Sequence, residues 1–495
     1  MNKLTRTTIQ LFIISLFIGL INYLLRIVFA RNLTLEEYGL FYAVFALVSF
    51  FAPFRDLGLG ESTLFFINKY VVKSDKKRIK ASIVIGILPQ LILGIVIAAI
   101  LFLLKGYLVK NYFKNPLADP IMTILIILFA FETIRPTLIY LFLAYQKVAL
   151  SKLNDLICSL SILIVSIILF SFSSSSKTTV PAIAYLIGSV VAIVIFGIIF
   201  YTQFKDVIKE KAAINKALIK EMFNYAIPIM FSTAGAMILV YSDTLLLTYF
   251  KGVELVGLYN IAYPALGVIL IFITPISIIL FPKISNLYHQ KKSQDIKNIL
   301  SIIYNNFLLL TIPLGLAFFV YSDLIISLLF GVKYIGATNT LKVFSLAFIF
   351  IGIRDINFNI IAGIGKVKER SKILYYGAGF NVILDLILIP KYGASGAAIA
   401  TGLGFALMAY LTTKLILKEY PIHIEKFIQL KTVFSGLLFL ASLSLLKKII
   451  VMSNAIIEAI IVCTISGIIY VLALYLLKVV TKEKILFLKE LVLKE

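Results

Sequence analysis

The stretch Ala81–Leu104, ASIVIGILPQLILGIVIAAILFLL, runs for 24 residues without a charged side chain. A helix needs about 20 consecutive apolar residues to cross the hydrocarbon core of a bilayer. This run therefore predicts a transmembrane helix. Similar runs recur along the chain and predict about fourteen spans, near 9–29, 38–58, 81–104, 120–146, 152–172, 180–203, 221–248, 256–282, 299–321, 335–361, 372–390, 394–416, 428–446 and 455–477.

The composition also indicates a membrane protein. Of the 495 residues, 61% are hydrophobic and 14% are charged, whereas a typical soluble protein has about 25% charged residues. This is too little polar surface to cover a water-facing globule of this size. We therefore predict an all-α integral membrane protein that crosses the cell (cytoplasmic) membrane many times.

The net charge of +23 could suggest nucleic-acid binding, since basic surfaces attract phosphate backbones. However, the lysines and arginines lie in short clusters between the apolar runs, and the clusters alternate in density. With both termini inside, the cytoplasmic segments hold 32 of the 47 basic residues and the outer segments hold 10. Cytoplasmic loops of membrane proteins carry such an excess. We therefore expect both termini in the cytoplasm and no nucleic-acid partner.

Two similar stretches indicate an internal repeat. Tyr38-Gly-Leu-Phe-Tyr-Ala-Val-Phe-Ala opens the second predicted span, and Val256-Gly-Leu-Tyr-Asn-Ile-Ala-Tyr-Pro opens the eighth, 218 residues later. An offset of six spans is even, so the two halves would be parallel repeats, which in transporters place the substrate site at their interface. We predict two parallel six-helix lobes, with spans 1–6 in residues 1–203 and spans 7–12 in residues 221–417.

The remaining segments are predicted to have other roles. The polar segment 204–220 has Val207, Ile214 and Leu218 on one helical face, which is typical of an amphipathic helix lying on the membrane surface. We predict a cytoplasmic interfacial linker helix there. Residues 418–495 would hold the accessory spans 13 and 14 and a basic cytoplasmic tail. Because those two spans carry almost no charge, they could accommodate an isoprenoid tail or simply face lipid.

Ionisable side chains within the spans are candidate functional residues, because each costs about 2.5 kcal/mol or more in hydrocarbon unless it is paired or hydrated. A guanidinium group suits the oxygens of a phosphate. We therefore predict a cavity in which a substrate phosphate binds Arg26, Arg55, Arg135 and Arg354. Ion coupling or charge pairing is predicted for six acids, Asp56, Glu61, Glu132, Asp243, Asp355 and Asp385.

Some of these charges also admit a purely structural interpretation. Glu132 and Arg135 are three residues apart on one helical face, so they could form an ion pair that ties helices together. Arg26 has no acid on its own helix, which favours anion binding. The sequence gives no basis for catalysis, since Cys158, Cys463, His289 and His423 form no metal or nucleophile spacing. We expect no catalytic residue, no metal and no cofactor.

Four stretches carry a family resemblance: FRDLGLGEST (Phe54–Thr63), DTLLL (Asp243–Leu247), FPKIS (Phe281–Ser285) and NVILDLILIPKYGASGAAIAT (Asn381–Thr401). Together they resemble the polysaccharide (O-antigen type) flippases of the multidrug/oligosaccharidyl-lipid/polysaccharide exporter superfamily. The resemblance implies two six-helix lobes around a V-shaped cavity, with two further helices at the side. Arg55 occupies that family's arginine position in span 2, and Arg26 looks like the span 1 arginine of the related lipid II flippases.

The resemblance implies a flippase that moves a polyprenyl-(di)phosphate-linked oligosaccharide from the cytoplasmic to the outer leaflet by alternating access. Its partners would be this lipid-linked oligosaccharide, membrane lipids, and glycosyltransferases or a polymerase of the same surface-glycan pathway. Two alternatives remain open at this point. One is a Na⁺- or H⁺-coupled multidrug exporter of the same superfamily, with Asp243 and Asp385 as coupling acids. The other is a scaffold without transport, which would tolerate removal of the charges within its spans.

Overall fold

The computed structural model of the protein describes residues 3–172 and 177–480. Within these ranges every regular element is helical, as the apolar runs predict. The first part of the chain forms α1 (Lys3–Asn32), α2 (Leu35–Phe50), α3 (Ala52–Asp56), α4 (Leu59–Val71), α5 (Lys76–Tyr107), a π-helical turn (Leu108–Phe113), α6 (Ala118–Phe131), α7 (Ile134–Ala144), α8 (Val148–Phe172) and α9 (Val180–Gln203).

The second part continues with longer helices. It forms α10 (Lys205–Lys209), α11 (Lys216–Lys251), α12 (Val253–Ala262), α13 (Ala265–His289), α14 (Ser293–Val320), α15 (Ser322–Leu329), a 3₁₀ turn (Val332–Ala337), α16 (Thr338–Gly363), α17 (Val367–Glu419), α18 (Lys426–Ile449) and α19 (Ala455–Leu476). The end of the predicted basic tail, 481–495, lies outside the described residues.

Twelve helical segments in the described part of the chain are long and apolar enough to cross a membrane. This agrees with the predicted class, while the count of fourteen spans and the cytoplasmic termini stay predictions. The 53-residue α17 is too long for one span. Gly393 interrupts it with φ 57° and ψ −132°, a conformation that favours glycine, at the point where the eleventh and twelfth spans were predicted to meet.

Prolines break two of the predicted spans into shorter helices. Proline lacks an N–H group, and its ring collides with the carbonyl group four residues earlier. The second span is accordingly interrupted next to Pro53, where α3 begins, and the fourth span is interrupted at Glu132 and Thr133, just before Pro136. Irregular backbone at membrane depth is tolerated where it is buried in protein or lines a cavity. The breaks next to Pro53 and before Pro136 are therefore expected to line a cavity or to be buried in protein.

The predicted linker helix is shorter than the segment 204–220. The helix α10 covers only its first turn, and an extended stretch follows before α11 begins. Asn215 starts this new helix because its side chain accepts a hydrogen bond from the Leu218 backbone at 2.7 Å. The Ala213 amide donates to the Lys77 carbonyl at 3.2 Å, which holds the extended stretch against α5. The location of this segment at the membrane surface stays a prediction.

The chain forms two compact units, one of Met1–Ile261 with Val382–Ala397 and one of Ala262–Asn381 with Ala398–Glu495. In the first unit a core of buried side chains includes Ile67, Phe142 and Met222, all fully buried. In the second unit a separate core joins α18 and α19 through residues such as Leu443 and Val462. The predicted lobe boundaries, at 203, 221 and 417, stay predictions.

Candidate functional site

The first compact unit contains a cavity of about 470 Å³, within the range of about 300–1,000 Å³ that is common for small-ligand sites. Residues of α1, α2, α3, α6, α7, α8, α9 and α11 line it. Most of the wall is apolar or carries hydroxyl groups. Among the described residues its charged side chains are Arg55, Glu132, Arg135, Lys152 and Asp155. Three cations against two carboxylates make the cavity weakly positive.

Arg55 is fixed in the cavity wall by the broken end of α6. Its Nη1 donates a hydrogen bond of 2.6 Å to the Phe129 carbonyl, and its guanidinium group lies 4.6 Å from the centre of the Phe129 ring. Phe129 is in the last turn of α6, where carbonyl groups have no partner within the helix. Arg55 thus satisfies a carbonyl that the helix end exposes. The side chain is 7% exposed, and its Nε has no hydrogen-bond partner within the described residues.

Arg135 is part of an ion-pair triad. Its Nε lies 2.7 Å from Glu132 Oε1 and its Nη1 lies 3.0 Å from Asp155 Oδ1. The break before Pro136 brings Glu132 and Arg135 to the cavity, and α8 supplies Asp155. The Glu132–Arg135 ion pair is local, and it is the contact between Arg135 and Asp155 that joins α7 to α8. Because two carboxylates already surround Arg135, its charge is more than matched.

Lys152 is a cavity residue that the sequence analysis missed. As the first residue of the predicted span 152–172 it was not considered for the site, but it lies in the second turn of α8 and lines the cavity while half-buried. Its position three residues before Asp155 places both on one face of α8. That spacing, the same as between Glu132 and Arg135, was the signal that could have identified it.

Arg26 lies in a contact between helices. Its Nη1 donates to the Asn260 carbonyl at 3.1 Å, and its guanidinium group lies 4.7 Å from the centre of the Tyr42 ring. Tyr42 and Asn260 hold the same place in the two copies of the repeated stretch. Asn22, one turn earlier on α1, lines the cavity, whereas Arg26 is not among its lining residues in the described part of the chain.

Arg354 belongs to the second compact unit. Its guanidinium group lies 4.9 Å from the Phe405 ring centre and 5.5 Å from that of Phe358. The neighbouring Asp355 accepts a hydrogen bond of 3.4 Å from the Ser277 hydroxyl group. Aromatic faces of this kind stabilise a neighbouring cation electrostatically. Its predicted phosphate contact stays a prediction.

Asp243 and Asp385 form a buried carboxyl pair in the first unit. Both are 0% exposed, and the Tyr259 hydroxyl group donates a hydrogen bond to Asp243. The Asp385 carboxyl lies close enough to Asp243 for the two groups to interact electrostatically, and neither of its oxygens has a hydrogen-bond partner within the described residues. Two carboxylates this close repel each other unless a proton or a cation lies between them. The pair that the sequence analysis predicted for ion coupling is therefore brought together.

Asp56 and Glu61 have a local role at the start of α4. The Asp56 carboxylate accepts hydrogen bonds from the backbone amides of Gly58, at 3.1 Å, and Gly60, at 3.3 Å. Glu61 is exposed in the first turn of α4, where the helix dipole favours a negative charge. These two acids thus support the turn that follows Arg55.

Comparison with known proteins identifies relatives over most of the chain. A family model described as "Polysaccharide biosynthesis protein" matches residues 4–288. An uncharacterized membrane protein of Methanocaldococcus jannaschii is 30% identical over 476 residues, which cover 93% of this chain and 92% of that protein. A putative O-antigen transporter of Shigella flexneri is 24% identical over 404 residues, covering 77% of this chain and 90% of the transporter.

A solved structure has a similar fold. The lipid II flippase MurJ in its inward closed conformation superimposes with a TM-score of 0.75 at 17% sequence identity. The match covers 94% of this chain and 98% of MurJ. At this level of identity the similarity establishes the arrangement of helices alone. The chain thus has a MurJ-like helical fold, while the two six-helix lobes and the V-shaped cavity that the resemblance implied stay predictions.

Proposed function

The chain belongs to the polysaccharide biosynthesis protein family, and on that premise we propose that it moves a polyprenyl-(di)phosphate-linked oligosaccharide from the cytoplasmic to the outer leaflet. It is a multi-pass membrane protein of a flippase family. The relatives of this chain include the putative O-antigen transporter and a probable low-salt glycan biosynthesis flippase of Haloferax volcanii. The substrate class and the direction of movement are the proposal.

The observation that carries the proposal is the cavity around Arg55. A phosphate anion needs a charged donor, and Arg55 lines this cavity with its Nε unpartnered within the described residues. The cavity wall also carries hydroxyl and amide groups that can hydrogen-bond sugars, such as Asn22, Ser49 and Tyr241. In the proposed mechanism the phosphate binds at Arg55, the glycan occupies the cavity and the polyprenyl tail stays in lipid.

The driving force is proposed to be a cation or proton that binds at Asp243 and Asp385. A buried carboxyl pair changes its net charge when such an ion leaves. Release on one side of the membrane would thus alter the packing of α11 against the segment that contains Asp385. Net movement of the substrate against its gradient would need a coupled step of this kind, because a substrate alone cannot drive its own movement uphill.

The test uses purified protein reconstituted in liposomes with a fluorescent polyprenyl diphosphate N-acetylglucosamine as the probe. A membrane-impermeant quencher reports how much probe has crossed. Arg55→Ala is expected to reduce the crossing rate at least tenfold, the effect of about 1.4 kcal/mol. Arg78→Ala, which removes an exposed guanidinium paired with Asp75 at 3.4 Å, is the control and should leave the rate unchanged. Equal rates for the two variants would contradict the proposal.

A further inference from the structure

The charges that line the cavity are not equally available to a ligand. Arg135 directs its Nε to Glu132 and its Nη1 to Asp155, at 2.7 and 3.0 Å. A bound anion would have to compete with these two carboxylates for the same guanidinium group. The carboxylates would also repel the anion. The triad carries one excess negative charge. Arg135 is therefore the weakest of the cavity cations as an anion ligand.

Arg55 and Lys152 remain as cavity cations without a carboxylate partner in the described part of the chain. Arg55 donates a hydrogen bond from Nη1 to the Phe129 carbonyl, and this contact fixes the guanidinium group in place. Its Nε is buried and unpartnered within the described residues. A buried donor left unsatisfied destabilises the protein, so an acceptor that reaches this nitrogen recovers the lost free energy.

Lys152 differs from Arg55 in the way that it can follow a ligand. An ammonium group is a compact charge on a flexible stem, whereas a guanidinium group presents rigid donors. Lys152 is half-buried and lines the same cavity from α8, whereas Arg55 lines it from α3. The nearby Asp155 is bound to Arg135, so it does not neutralise Lys152 through an ion pair.

We propose that Arg55 and Lys152 bind the two phosphate groups of one diphosphate, and that Lys152 makes the cavity select diphosphate over monophosphate carriers. This inference rests on the proposed function and narrows its substrate class. A monophosphate uses Arg55, the fixed donor, and gains little from Lys152. A diphosphate places its second anionic group where the mobile ammonium group reaches it. The excess negative charge of the triad limits the affinity, so that the anion can leave.

The absence of tryptophan from the chain permits a direct binding test, since a single introduced indole has no background. Phe45 lines the cavity, and Phe45→Trp places the reporter there. Purified protein with this substitution is titrated with farnesyl diphosphate and with farnesyl monophosphate. We expect the diphosphate to bind about tenfold more tightly, consistent with one further charge-assisted contact. Lys152→Ala in the reporter should abolish this preference by weakening diphosphate binding alone.

The controls separate this inference from the proposed function. Lys147→Ala removes a lysine of the same region whose Nζ hydrogen-bonds Gln203 outside the cavity, and it should keep the preference. Lys152→Arg should also keep it, because the charge is retained. If Lys152→Ala weakens both probes equally, or neither, the assignment of Lys152 is wrong while the function stands. If the unsubstituted reporter binds neither probe, the proposed function itself fails.

Discussion

Gly39 and Gly257, which hold the same place in the two copies of the repeated stretch, pack directly against each other. A Cβ atom on Gly257 would lie 3.5 Å from Gly39 Cα and 2.7 Å from the Leu35 carbonyl oxygen. A Cβ atom on Gly39 would lie 1.9 Å from the Val253 carbonyl oxygen. The repeat is thus a contact in space as well as a similarity in sequence. The helices α2 and α12 approach this closely because neither carries a side chain at the crossing.

Gly39→Ala should therefore prevent α2 and α12 from packing this closely. Overpacking costs about 1–3 kcal/mol in general, and backbone on the partner helix cannot move aside as a flexible side chain can. We expect a lower unfolding temperature and loss of probe crossing in the liposome assay. Gly19→Ala, at an exposed helical position with no atom within 4 Å of the new Cβ, is the matched control. Normal crossing by Gly39→Ala would show that the contact is dispensable.

Arg26 contacts both copies of the repeated stretch near the same crossing, and these contacts predict a structural role distinct from phosphate binding. Its contacts with Tyr42 and Asn260 predict that Arg26→Ala impairs probe crossing. In the Phe45→Trp reporter, however, the affinity for farnesyl diphosphate should change less than twofold, under about 0.4 kcal/mol. A large loss of affinity would instead support the original prediction that Arg26 is a phosphate ligand.

The ion-pair triad predicts a specific pattern of stability. Arg135→Ala leaves Glu132 and Asp155 as two close, partly buried carboxylates, so the unfolding temperature should fall. Adding Asp155→Asn to Arg135→Ala should recover part of the loss, because one of the repelling charges is removed. Thermal unfolding in detergent, followed by circular dichroism, measures both changes. A double variant less stable than the single one would exclude this electrostatic explanation.

The carboxyl pair predicts the response to ion gradients. Asp385→Asn removes one of the two charges that an ion would compensate, so crossing should no longer respond to an imposed proton or Na⁺ gradient. Crossing without a gradient should persist. Asp295→Asn, in the exposed first turn of α14, serves as the control. If Asp243→Asn abolishes dye efflux from cells and leaves surface glycan unchanged, the multidrug exporter is the better description.

Gly58 and Gly365 provide a matched pair for the turn after Arg55. Both have left-handed backbones, with φ of 72° and 78°. A Cβ atom at Gly58 would lie 2.2 Å from the Ala226 carbonyl oxygen, whereas none lies within 4 Å at Gly365. Alanine costs about 1–2 kcal/mol at either site through the backbone alone. Gly58→Ala should therefore lower the unfolding temperature much more than Gly365→Ala does. Equal decreases would show that the approach of Ala226 to Gly58 adds no cost.

The sequence predicted the all-helical membrane class from its apolar runs, and it singled out Arg55, which lines the cavity, through the family resemblance. The two six-helix lobes inferred from the repeat stay a prediction. The apolar runs identify the spans, and the Phe54–Thr63 motif places Arg55. Spacing alone could not decide between the structural and functional interpretations of Arg135, since the deciding carboxylate, Asp155, comes from another helix. Lys152 was missed for a related reason. A lysine near the end of a span usually marks the cytoplasmic side of the membrane. Its position in a cavity wall is visible only in the folded structure.

The hydrogen bond from Arg55 to the end of α6 couples the cavity to the other end of that helix. At one end the Phe129 carbonyl is held by Arg55. Just before its other end Asn115 donates a 2.7 Å hydrogen bond to Glu36, three residues before Gly39. Fourteen residues of rigid helix, about 21 Å, separate these ends. A ligand that displaces Arg55 would therefore displace α6 as a rigid helix. The other end of α6 is bound to Glu36, next to the contact between Gly39 and Gly257.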